Sequence, residues 1–116
     1  MATTILLKRT TEPPARSDGK RILVDRLWPR GKTKESLKLA LWLREIAPST
    51  ELRQWFGHDP AKWKEFRKRF FAELKGNPEP VATLREFVDK GDVTLVFAAR
   101  DTEHNNAVAL REYLLR

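Results

Sequence analysis

The 116-residue sequence has no cysteine. That single absence removes disulfides, thiolate nucleophiles, Cys-ligated zinc and iron–sulfur clusters. Only two histidines, His58 and His104, are present, so a zinc site would need carboxylates gathered from elsewhere, and no metal is expected. No apolar run approaches the roughly 18 residues that a membrane-spanning helix needs. The opening residues, MATTILLKRT, lack the basic, apolar and small-residue succession of a secretory signal. GxGxxG, the Walker phosphate loop, HExxH and GxSxG are all missing, so nucleotide-dependent and metalloprotease readings lose their usual mechanics and no cofactor is expected. What these absences leave is a soluble intracellular domain.

What the chain has in excess is positive charge. Lysine and arginine number 23 against 16 acidic residues, a formal charge of +7. Between Lys8 and Lys34 nine basic residues face only Glu12, Asp18 and Asp25, so almost all of the surplus lies in the first third. Such a field draws phosphates, nucleotides, nucleic acid or an acidic partner, and it also simply keeps a protein soluble. Hydrophobic residues make up 41%, too many for a disordered polymer, and the length suits one domain over residues 1–116.

Periodicity divides the chain into strands and helices. Thr4–Leu7 and Arg21–Asp25 are short apolar runs that read as strands, separated by a loop holding Pro13-Pro14 and Ser17-Asp18-Gly19. Leu37, Leu39, Leu41 and Leu43 alternate with other residues, a period of two that predicts a third strand. Ser49 or Thr50 caps a short helix, and Asp59-Pro60 opens a longer one bearing Trp63, Phe66, Phe70, Phe71 and Leu74 on one face. That aromatic set is core before it is a base-stacking platform. Another helix runs from about Glu79 to Gly91, and the last begins near Asp101 or Thr102. Val93–Phe97, apolar without interruption but for Thr94, reads as a strand covered on both faces. The fold class is therefore α/β, a small mostly parallel sheet of about four strands flanked by helices.

The runs ILVDRLWPRG (Ile22–Gly31), APSTELRQWFGHDP (Ala47–Pro60) and TLVFAARDTEHNNAVAL (Thr94–Leu110) resemble the YeaO-like family, a branch of the bacterial domain-of-unknown-function 488 family. The resemblance covers essentially the whole chain. It implies an α/β fold and a cytoplasmic protein, and it implies no particular reaction. Other branches of the larger family carry Cys-His-Arg where this chain has Asn105-Asn106-Ala107, and a cysteine at or near Ala98. Thiolate chemistry, if those branches use it, is closed to this chain.

Ligands of parallel sheets bind beyond the carboxyl ends of the strands, which singles out two polar clusters. After the second strand come Asp25, Arg26, Trp28 and Arg30. Trp28 reads as core, whereas Arg26 and Arg30 carry the planar fork that grips phosphate or carboxylate. After the last strand come Arg100, Asp101, His104, Asn105 and Asn106, where unpaired backbone N–H groups at a helix start favour an anion. Asp101 lies three residues before His104, close enough to hydrogen-bond it and set its tautomer. The bland alternative has Asp101 capping the helix and His104 facing solvent. His58-Asp59 reads as a surface residue followed by a cap.

Three functions follow from these features. In the favoured one a compact anion is held by Arg26, Arg30, Arg100, Asn105 and Asn106, with Asp25, Asp101 and His104 available for proton transfer. In the second the Lys8–Lys34 segment contacts nucleic-acid phosphates, although no groove-reading motif accompanies it. In the third the same charge recruits an acidic protein without catalysis. The favoured reading requires both clusters to share one crevice.

Overall fold

The fold is organised around Val93–Phe97, whose five side chains are all buried. In this computed structural model, which describes residues 4–116, that segment is strand β4. It lies between β1 (Ile5–Arg9) and β2 (Lys20–Leu23), and β3 (Leu41–Trp42) closes the far edge, giving the order β1-β4-β2-β3 with every pairing parallel. A strand with parallel neighbours on both sides and layers over both faces has no position for a charged side chain, which is why its sequence is almost wholly apolar. Thr94 is the exception; its hydroxyl donates to the Asp18 carbonyl at 2.8 Å.

The short α1 (Lys34–Leu37), α2 (Thr50–Phe56), α3 (Trp63–Lys75), α4 (Pro78–Lys90) and α5 (Asn106–Leu114) complete the α/β domain. Ser49 caps α2, and Asp59 with Pro60 opens a 3-10 turn that runs into α3. The inward face of α3 supplies Phe66, Phe70 and Leu74, each at most 2% exposed. Phe56 of α2 stacks on Phe66 at 4.3 Å between ring centroids, so the aromatic set forms core, as its spacing predicts.

Two predicted elements differ. The alternation from Leu37 to Leu43 does not make one strand. Leu37 ends α1, Lys38 turns the chain in a left-handed conformation (φ 47°), and only Leu41–Trp42 pair with β2. The reason is tertiary: the Arg21 side chain donates to the Leu37 carbonyl at 2.8 Å and holds the turn where a strand would start. The last helix starts at Asn106, not at Asp101 or Thr102, because the side-chain oxygen of Asn105 accepts the Val108 N–H and supplies the cap. Asp101 instead closes its own turn, accepting the N–H groups of Glu103 and His104 at 2.9 and 3.0 Å.

Gly19 sits where β2 begins, at φ +64°. A Cβ there would collide with the Asp92 carbonyl, which accepts the Lys20 N–H at 3.0 Å, so glycine is needed both for the turn and for the close approach.

Candidate functional site

The register carries the two polar clusters to one place. Leu23 pairs with Val96, so two residues further along Asp25 stands beside Ala98 at the carboxyl edge of the sheet. The Asp25 carboxylate accepts the Ala98 N–H at 2.8 Å through one oxygen and the Asn106 side-chain amide at 3.2 Å through the other. The same Asn106 amide donates to the Val24 carbonyl at 3.0 Å. One carboxylate thus ties the end of β2 to the end of β4 and to the start of α5. From the other side Arg9 donates to the Ala99 carbonyl at 3.0 Å, so residues 98–99 are fixed on both flanks.

Beyond this tie lies a crevice of about 960 Å³. The loop after β2 contributes Asp25 to Arg30, and the segment after β4 contributes Ala98 to Asp101 with Asn105 and Asn106. The segment Ala47-Pro48 and helix α2 form another wall, bringing Arg53, Gln54 and Phe56; His58 follows on the chain. His104 is not among the residues lining this space. Its ring lies edge-on to Trp63 at 5.4 Å between centroids, and its Nδ1 is 2.9 Å from Asp101. Seven of the eight residues singled out from the sequence therefore share the crevice, and the eighth touches it only through Asp101.

The side chains divide into those already engaged and those with capacity to spare. Arg26 donates to the carbonyls of Ala47 and Pro48, at 3.1 and 3.3 Å, and pins the loop after β2 to the approach of α2. Asn105, 3% exposed, spends its amide on the Asp101 carbonyl and on the helix cap. Asn106 is spent on Val24 and Asp25. These three build the wall. Arg30 and Arg100 are exposed at its rim. Among the described residues none of Arg26, Arg30, Arg53 and Arg100 forms an ion pair. The Arg53 Nε is buried and has no hydrogen-bond partner in the protein. Four guanidinium groups thus face two carboxylates, Asp25 and Asp101, across the same space.

Burial pushes the Asp25 carboxyl above its ordinary pKa, against the opposing pull of the Ala98 N–H, the Asn106 amide and the charges of Arg53 and His58. Asp101 moves the other way: the Glu103 N–H and the His104 ring hold it below the ordinary value. Asp101 and His104 have the hydrogen-bonded geometry of a proton-transfer pair, set to one side of the crevice.

Arg53 and His58 were not picked out by sequence reasoning. Arg53 occupies the middle of a short amphipathic helix and looks like any solvated arginine. His58 reaches the crevice because Gly57 and His58 both adopt left-handed conformations (φ 53° and 57°), which turn the chain back at the end of α2. The Gly-His-Asp-Pro run was the available signal. Trp28 also differs from the expectation of a core residue; it is half-buried and lines the crevice. Among the described residues no group of three or more His, Asp or Glu has the arrangement of a metal site. Nor is any helix there long and apolar enough to cross a membrane.

Comparison with known proteins adds the family. The model of the inactive DUF488-N3 subclade matches residues 4–116. Among curated proteins, the chain is 42% identical over 110 residues to the uncharacterised protein YeaO of Escherichia coli (strain K12), covering 95% of this chain and 96% of that protein. It is 36% identical over 112 residues to the uncharacterised protein Rv3073c of Mycobacterium tuberculosis (strain ATCC 25618 / H37Rv), covering 97% of this chain and 94% of that protein. No solved structure matches the chain.

Proposed function

The chain belongs to the inactive DUF488-N3 subclade and is YeaO-like, and from that premise we propose that it is a receptor for a small phosphate- or carboxylate-bearing ligand rather than a catalyst. The observation that carries this reading is the convergence of Arg26, Arg30, Arg53 and Arg100 on one crevice without a carboxylate paired to any of them. Arginines gathered in this way repel one another, and an anion bound in the crevice relieves that repulsion. Binding is favoured over turnover because Asp25 is already committed to Ala98 and Asn106, and His104 stands outside the lining, touching it only through Asp101. The subclade's description as inactive supports the same choice.

The test is thermal stability in inorganic pyrophosphate, with sodium chloride at matched ionic strength as the control. A ligand that binds only the folded state stabilises it by mass action, by about 1.4 kcal/mol at ten times its dissociation constant, or roughly 4–8 °C for a domain of this size. The exposed Arg30 and Arg100 can be removed without disturbing the core, and the Arg30→Ala, Arg100→Ala double variant is expected to lose most of that shift. An equal shift in sodium chloride, or none in pyrophosphate, would contradict the reading.

A further inference from the structure

Resting on that reading, we infer that the ligand also carries a flat apolar body, as an aryl phosphate or a nucleoside monophosphate does, and that Leu27 and Trp28 form its seat. The first support is size. At about 960 Å³ the crevice lies at the upper end of the roughly 300–1,000 Å³ that hold drug-sized ligands, far more than a bare phosphate fills. The second is the exposure of Leu27. It and Leu115 are the exposed large hydrophobic side chains among the described residues, and Leu115 is next to the chain end. Leu27 is 65% exposed on the wall of the crevice, between Arg26 and Trp28.

The third support is rigidity. The Trp28 indole N–H donates to the Lys32 carbonyl at 2.8 Å, and its ring meets Trp42 edge-on at 5.3 Å between centroids. Trp42 is itself held by its N–H on the Asp25 carbonyl at 2.8 Å. An indole fixed in this manner presents apolar surface without an ordering cost when a ring packs on it. Arg30 follows Trp28 by two residues on the same loop. A ligand whose anionic group is gripped there has its body within reach of the tryptophan.

The experiment is calorimetric titration of the full chain with inorganic phosphate and with phenyl phosphate, repeated on Trp28→Ala and on Leu27→Ser. The exposed Leu27 variant keeps the test decisive should Trp28→Ala fail to fold. Phenyl phosphate is expected to bind about tenfold or more tighter than inorganic phosphate, as burial of a ring predicts, and both variants are expected to bring the ratio down to about threefold. Phosphate binding with a ratio within about twofold would overturn the flat-body inference and leave the anion reading standing. A high ratio that neither variant lowers would overturn the Leu27–Trp28 seat. If neither compound binds, both the inference and the reading beneath it fall.

Discussion

Asp18 is fully buried, and its charge is met from three directions: Lys8 at 2.8 Å, Arg21 at 2.8 Å and the Ala15 N–H at 3.0 Å. Burial works against the carboxylate, but these partners outweigh it and hold its pKa below the ordinary value. Arg21, only 3% exposed, depends on this pairing in turn. Breaking a buried pair from one side leaves a charge without compensation, so Asp18→Ala is expected to destabilise the fold by about 3–5 kcal/mol in urea unfolding. A loss below about 1 kcal/mol would show the pair to be solvated. Asp25 gives a prediction of opposite sign in pH. Its folded pKa lies above the unfolded one, so the stability its protonated form contributes is present at low pH and is lost as pH rises from about 4 through the raised value. Asp25→Asn removes that titration, whereas the depressed Asp18 and Asp101 titrate alike in both proteins. The stability of the wild type relative to Asp25→Asn should therefore fall as pH rises from about 4 through the raised value. Urea melts across that range check it, and a difference that grows with pH would contradict the burial argument.

At the scale of elements, strands and helices with local reasons to exist were legible in the sequence. Val93–Phe97 is apolar enough to be read as a central strand, and Val96→Asp, which places an unpaired carboxylate there, is expected to abolish cooperative folding. Ser49 and Asp59-Pro60 announce their helix starts by capping chemistry alone. What was not legible depends on distant partners. The period of two through Leu37–Leu43 fits a strand, and nothing local reveals that Arg21 holds the Leu37 carbonyl. Asp101 and Asn105 are both good caps; the tie from Asn106 to Val24 and Asp25 places the helix start at the second. Asn105→Ala is accordingly expected to cost about 0.5–2 kcal/mol, a typical loss for a cap. Stability unchanged by that substitution would return the helix start to Asp101. The candidate site follows the same division. The residues just past β2 and β4 were found because strand ends are predictable, whereas Arg53 and His58 arrive on a helix and turn whose approach to the crevice is set by packing.

At the scale of the molecule, the basic first third is not the uniform outward field that composition suggests. Lys8 and Arg21 are spent on Asp18, Arg9 on the Ala99 carbonyl and Arg26 on Ala47 and Pro48. Arg16, Lys20, Lys32 and Lys34 form no ion pair among the described residues and lie outside the crevice, where Arg30 joins Arg53 and Arg100 at the meeting of the loops from β2 and β4 with helix α2. The most direct measurement is an amide ¹H–¹⁵N correlation spectrum of the labelled protein, titrated with inorganic pyrophosphate at constant ionic strength. Saturable shifts are predicted to cluster at Arg26–Arg30, Arg53–His58 and Ala98–Asn106, with the outward lysines of α3 unmoved. Shifts that follow the lysine-rich face of α3 or the β1 edge, or no saturable shifts at all, would contradict the account.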